Sequence, residues 1–277
     1  MATHKPNEPY LHADPVGQPV HEPVAAPSTV HRRNRGWTWR IGVIGLVGAL
    51  LAIVVGLAAV TLARYDIVDK LAGFGTFMQM LPVVGAAGLI GAIALAIGFA
   101  GKAGPKWPGA LAVVLALGFA GVIYTQVIAP ARAAPPLHDV TTDVNDPPPF
   151  ATLTLREDNL VPFASQEEWR AAHRAGYPDL APVVIQSSPT EVLGTARVLA
   201  EERGWEIASV DTNTGRMEAT AFAGYIRFRD DVVVEVTPIA DGSTRVDMRS
   251  VSRVGVSDLG YNAARVREFL AALRARG

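Results

Sequence analysis

One polar run near the C-terminus of this 277-residue chain carries the side chains best suited to chemistry. Between Arg249 and Asn262 lie two guanidiniums, Arg249 and Arg253, the hydroxyls of Ser250, Ser252 and Ser257, the Asp258 carboxylate and the Asn262 carboxamide. Guanidinium forks match phosphate and carboxylate geometry, and a helix N-terminus adds free N–H groups aimed at an anion. If a helix begins just after Ser257, Asp258 and Asn262 stand where capping residues stand, and the arginines approach the same end. The pattern predicts an anion site for a headgroup, phosphate or carboxylate, built from Arg249, Ser252, Arg253, Asp258 and Asn262. The same residues also admit a structural reading. Asp258 would then pair with Arg249, Arg253 or Arg265, while Gly255 and Gly260 satisfy the backbone of a strand-to-helix corner.

Other chemistry has fewer advocates. Asp230 and Asp231 are adjacent carboxylates, but no His or third acid lies near them in sequence, so no metal site is expected. Beyond residue 137 the only histidines are His138 and His173. A Ser-His-Asp hydrolase would have to use one of them with an unmarked serine, and it predicts a cleft joining His173 or the Asp230/Asp231 pair to Ser252. Gly-x-Ser-x-Gly, Ser-x-x-Lys, P-loop and Gly-x-Gly-x-x-Gly patterns are absent, and so is cysteine. No catalytic residue and no cofactor is assigned.

The elements that would position the polar run can be read from local pattern. Ser188-Pro189-Thr190-Glu191 has capping-box spacing with proline at the first helical position, which predicts a helix over 189–203. Strands are predicted at 205–211, 215–222, 225–238 and 243–253, joined by short turns such as Asp241-Gly242, and they pair as an antiparallel meander. In the last strand Val246, Met248, Ser250 and Ser252 face one way, and Arg245, Asp247, Arg249, Val251 and Arg253 the other. Val266, Phe269, Leu270 and Leu273 give a final helix over 259–275. The expectation is an α+β domain in which a meander of about four strands packs against two or more helices. Within 150–187, Glu167–Arg174 is a candidate helix and Val183–Ile185 a candidate strand.

Charge divides the chain. Residues 1–137 hold 10 Lys+Arg and 5 Asp+Glu, and residues 138–277 hold 15 and 21, so the overall charge of −1 is a cancellation. The acidic second half contains no lysine, and nucleic acid is excluded as a partner on charge. The first half has three long stretches without ionisable side chains. These predict membrane spans at about 41–63, 80–101 and 108–129. Arg32, Arg33, Arg35 and Arg40 precede the first span, and Lys102 and Lys106 separate the second and third. The positive-inside rule then places the N-terminus in the cytoplasm and the C-terminal domain outside.

No Asp, Glu, Lys, Arg or His lies within the spans, which favours an anchor over a transporter or channel. Gly85, Gly88, Gly91, Ala94 and Gly98 make span two small-sided, for packing within the bundle or for a homo-oligomer. Residues 1–36 are expected to be a proline-rich cytoplasmic tail, in which His4, His12, His21 and His31 are too widely spaced to form a metal site. Residues 37–131 form the membrane unit, 132–149 a proline-rich linker, and 150–277 the soluble domain.

Three segments carry a family resemblance: Phe228-Arg-Asp-Asp-Val-Val-Val, Arg249-Ser-Val-Ser-Arg-Val-Gly-Val-Ser-Asp-Leu-Gly-Tyr-Asn262, and His138-Asp-Val-Thr-Thr-Asp143 ahead of Pro147 to Phe150. Residues 137–275 resemble the domain of unknown function 1499 family. The resemblance implies a small bacterial, and in part plastid, domain tied to a membrane or secreted, with no established activity. Together with the spans it implies a multi-pass protein of a bacterial cytoplasmic membrane. The expected role is a non-enzymatic envelope protein that contacts the lipid bilayer and binds a lipid, anionic ligand or envelope protein. An envelope hydrolase and a purely structural scaffold are the alternatives.

Overall fold

Asp69 starts the second of three long helices by accepting a hydrogen bond from the Ala72 N–H at 2.9 Å, and Pro108 at the first turn starts the third. The computed structural model describes residues 29–101 and 104–277, so most of the expected tail, including His4, His12 and His21, lies outside the described residues, as does Lys102. The described part of that tail, from Thr29, is already helical. Helix α1 spans Thr29–Arg64, α2 Lys70–Ala100 and α3 Trp107–Ile123. A π-helical turn at Tyr124–Ile128 joins α3 to the short helix α4, Ala129–Ala133. Pro130 has no N–H to offer the preceding turn, and a wider turn is the usual accommodation.

All three are long and apolar enough to cross a membrane. Span two starts about ten residues before the expected position, because Pro82 sits inside α2 without ending it. Neighbouring helices make such a proline tolerable in a bundle. The small residues of α2 are used within the bundle. A Cβ on Gly91 would meet the Gly109 carbonyl oxygen at 2.8 Å, and one on Gly88 would meet Ala116 Cβ at 2.5 Å. These contacts let α2 and α3 approach backbone to backbone. Gly85, by contrast, has open space around it.

The C-terminal half is a six-stranded antiparallel sheet with helices on one face. In chain order it contains β1 (Asp139–Thr141), α5 (Gln166–Gly176), β2 (Val183–Ile185), α6 (Pro189–Glu202), β3 (Glu206–Asp211), β4 (Arg216–Ala223), β5 (Phe228–Pro238), β6 (Thr244–Ser252) and α7 (Tyr261–Arg274). Strands β3 to β6 form the expected meander. Two short strands widen it from four to six: β1 pairs with Arg249–Val251 and β2 with Thr244–Val246, end to end along the same edge of β6. Strand β1 lies in the stretch expected to be linker. Three residues flanked by prolines carry no alternation from which to read a strand, and β1 exists because β6 offers an edge.

One face of the sheet carries Met217, Ala221, Val232, Val234, Val236, Val246 and Met248. Against it pack Val192, Leu193, Ala196 and Leu199 of α6, and Val266, Phe269 and Leu273 of α7. Trp205 stacks on Phe269 at 4.9 Å. A smaller cluster of Leu137, Val140, Trp169, Tyr177 and Ala263 seats α5. The opposite face is polar, yet it is buried: the segment after β1 crosses it, and its anchor is Glu218. That carboxylate, 1% exposed, accepts from the N–H groups of Ala151 (2.6 Å), Thr152 (3.0 and 3.2 Å) and Leu153 (2.7 Å). Three convergent backbone donors satisfy an acid that would otherwise be costly to bury.

Candidate functional site at the strand-to-helix corner

Residues Arg249, Ser252, Arg253, Asp258 and Asn262 converge at the end of β6 and the start of α7, on two sides of the sheet. On the helix side Asn262, fully buried, ties the corner together. Its amide nitrogen donates to the His138 carbonyl and to Ser252 Oγ, each at 2.9 Å, and its oxygen accepts from Ser250 Oγ at 2.7 Å and from Arg265. Arg265 also pairs with Asp230 at 2.6 Å. Asp258 accepts from the N–H groups of Gly260 (2.9 Å) and Asn262 (2.5 Å), and so caps α7. Burial pushes its carboxyl up to about 6, against the pull of those two N–H groups, with the neighbouring Asp230 charge adding to the rise.

On the opposite side, Arg249 forks onto Asp139 at 2.9 and 2.6 Å, and both side chains are nearly buried. Arg253 forks onto Asp231 through Nε (2.9 and 3.1 Å) and Nη2 (2.8 Å), and Nη2 also reaches Thr220 Oγ1 at 3.0 Å. Its side chain is still 43% exposed. Among the described residues Nη1 of Arg253 has no acceptor. The arginines therefore find their acids in Asp139, Asp231 and Asp230, and Asp258, the partner expected from sequence, serves the helix instead. Asp230 and Asp231 are adjacent on one strand and so point to opposite faces, which is why each meets a different arginine.

A cleft of about 200 Å3 lies over the polar face at this end, lined by Thr154, Leu155, Arg156, Asp231, Val251, Ser252 and Arg253. Arg156 closes one side. It pairs with Asp158 at 2.6 Å and donates from Nη1 to the Gly255 carbonyl at 2.6 Å. Next to it His138 is 2% exposed, and burial first, then the Arg156 charge, depresses its pKa. His138 stood out in the sequence only as one of two histidines after residue 137 and as the start of the His138–Asp143 segment, not as a neighbour of this cleft, and Arg156 carried no signal.

The cleft does join Asp231 to Ser252, as the hydrolase reading expected, but no histidine is among its lining residues. Ser252 Oγ is bonded to the Asn262 carboxamide rather than to an imidazole. His173 sits between Trp169 and Tyr177, and its Nε2 accepts from the Thr141 N–H at 3.1 Å. Burial holds its pKa down at about 4, so it is a neutral acceptor that fastens β1 to α5. No cluster of three or more His, Cys, Asp or Glu with metal-binding geometry occurs among the described residues.

The corner lies at the end of the sheet that touches the membrane unit. The β4–β5 turn, Gly224–Arg227, rests on the ends of α1 and α2. Ile226, 7% exposed, is buried with Val60 and Ala63, and Phe74, Phe77 and Phe228 close around it. Phe74 and Phe228 meet edge to face at 6.1 Å. Lys70 donates to the carbonyls of Ala63 (2.7 Å), Arg64 (3.3 Å) and Ile226 (3.0 Å), which ties both helix ends to the turn. Arg64 donates to the Tyr225 carbonyl at 2.7 Å, Tyr225 and Thr61 hydroxyls meet at 3.1 Å, and Arg229 pairs with Asp66 at 3.0 Å. The Arg229 carbonyl in turn accepts from the Arg253 N–H at 3.1 Å. A single residue thus separates the membrane unit from the cleft.

No curated protein matches the sequence. Residues 139–273 match the family model described as protein of unknown function (DUF1499), which starts at the first residue of β1 and ends within the last turn of α7. From its first strand to its last helix, the C-terminal half of this chain therefore matches the DUF1499 family, and it follows three helices long and apolar enough to cross a membrane.

Proposed function

We propose that this is an envelope protein whose three-helix anchor holds the C-terminal domain on the exterior face of a bacterial cytoplasmic membrane, and that the cleft beside Arg253 receives a small anionic group. The observation that carries the reading is the coincidence of cleft and docking site. Arg253 has an exposed guanidinium edge with no acceptor, within a cleft of phosphate or carboxylate size, one residue from the contact with the anchor. A bidentate tie to Asp231 holds the fork in place, so little rotamer entropy is lost when an anion meets its remaining edge. Of the residues predicted from sequence, Arg253 and Ser252 line this cleft, whereas Arg249, Asp258 and Asn262 support it from behind.

Exterior placement is supported by the arginines at the N-terminal end of α1, Arg32, Arg33, Arg35 and Arg40, and by an odd number of spans. An alkaline phosphatase fusion at the C-terminus is expected to be active, and a cytoplasm-only fluorescent reporter there dark; the reverse pattern overturns the orientation. For the cleft, native mass spectrometry of the full chain from envelope extract is expected to show a retained anionic metabolite or headgroup, which Arg253→Gln releases. A bare wild-type chain would instead favour the scaffold reading, which draws support from the internal pairing of Arg249, Asp258, Asn262 and Arg265.

A further inference from the structure

A second set of cations sits at the junction of anchor and domain, apart from the cleft. Arg64 and Lys70 come from the ends of α1 and α2, and Arg227 and Arg229 from the turn that rests on them. Two acids lie among them. Asp66 is shared by Lys70 and Arg229, each at 3.0 Å, and Asp69 is committed to the cap of α2. Arg64 and Arg227 have no carboxylate partner among the described residues. Arg64 lies over the Tyr225 ring at 5.0 Å and Arg227 over the Phe222 ring at 3.8 Å, contacts that orient a guanidinium without neutralising it. Arg227 adopts a φ of 59°, a left-handed conformation unfavourable for a side chain of this type, and the seated turn holds it there.

The surroundings identify what these charges face. Tyr225 and Tyr65 are 57% and 68% exposed, and Ile67 next to them is 68% exposed. Tyr65 and Ile67 lie just past the last turn of α1, and the Tyr225 hydroxyl meets Thr61 of that turn. Aromatic and apolar side chains exposed at the end of a membrane-crossing helix sit among lipid headgroups, where the neighbouring anions are phosphates. The positive-inside rule leaves an exterior loop little reason to gather four cations, and the domain supplies two of them through its turn.

We propose that the Arg64 and Arg227 guanidiniums, held over the Tyr225 and Phe222 rings, bind the phosphate of an acidic phospholipid in the leaflet that faces the domain, so that this lipid completes the contact between anchor and domain. The site is independent of the cleft at Arg253.

The test uses the full chain in phosphatidylcholine nanodiscs containing a minor fraction of phosphatidylglycerol, followed by native mass spectrometry of the released protein. The wild type is expected to retain phosphatidylglycerol in preference to phosphatidylcholine. Arg64→Gln with Arg227→Gln should lower that preference roughly thirtyfold at low salt, since each juxtamembrane cation contributes about 1 kcal/mol. Arg227→Gln alone should give part of the loss, and Arg274→Gln at the far end of α7 none. Retention of the two lipids by the wild type in the proportion of the nanodisc overturns the proposal outright. An unchanged preference in both the double and the single variant does so too.

Discussion

Removing the Arg249 guanidinium separates the two readings of the corner. In the structure this side chain is a partner for Asp139, whose side chain is 3% exposed, and the two make parallel hydrogen bonds of 2.9 and 2.6 Å. Arg249→Ala leaves a buried carboxylate whose remaining side-chain donor is Asn159 Nδ2 at 2.6 Å. Stranding one member of a buried pair costs about 3–5 kcal/mol, and the Asn159 contact puts this case at the lower end. For a domain of this size, roughly 3 kcal/mol corresponds to a fall of about 10 °C in Tm. Thermal unfolding of the full chain in detergent, followed by tryptophan fluorescence, measures it through Trp169 and Trp205, which are packed in the two cores of the domain. The double variant Asp139→Asn with Arg249→Met should recover most of the loss, because both charges then disappear together. If Arg249→Ala unfolds within about 2 °C of the wild type, the guanidinium is not a structural partner, and the pairing account of the corner fails.

Three further outcomes follow from the same contacts. Asp258, at about 6 in the fold against an ordinary 3.8, binds its proton more tightly when folded, so it adds stability as pH falls through 6. His173, at about 4 against 6.5, is protonated first in the unfolded chain and removes stability as pH falls from 6.5 to 4. The two oppose each other, and in Asp258→Asn the His173 loss should stand uncompensated: its stability is expected to fall about 3 kcal/mol further than wild type between pH 7 and 4, and parallel Tm curves would refute this. Glu218→Gln should loosen the crossing segment by about 2 kcal/mol and speed hydrogen exchange at Ala151 to Leu153, with no change expected in β1. Ile226→Asp should release the β4–β5 turn, raising hydrogen exchange at residues 64–70 and 224–228 while the domain's own Tm stays the same.

Local pattern was enough for α6, α7 and strands β3 to β6, because each carries its signal within a dozen residues: a capping box, a helical apolar stripe, or alternation ended by a turn. The partners of the arginines were not legible. Asp139 lies 110 residues before Arg249, Asp230 35 before Arg265 and Asp231 22 before Arg253, so proximity in sequence favoured Asp258. Sheet register decides the matter, since Asp139 stands opposite Val251 and Asp231 opposite both Thr220 and Val251. The covered polar face was equally hidden. A row of Glu218, Asp231, Asp247 and Arg249 reads as a solvated surface until backbone N–H groups and counter-charges are seen above it. The docking turn did leave a trace: Tyr225 and Ile226 are large apolar residues in a tight turn, where small polar residues are usual.

The C-terminal domain is seated on the ends of α1 and α2 through that turn, which brings the corner and its cleft to those helix ends. The chain has no cysteine, so a pair can be introduced cleanly at positions the structure buries together. In native membranes, Ala63→Cys with Ile226→Cys should cross-link in high yield with a short bis-methanethiosulfonate reagent, and Ala63→Cys with Asp241→Cys, at the exposed β5–β6 turn, should not. Equal yields from the two pairs, or none from the first, would mean that the domain does not sit on the anchor in this way.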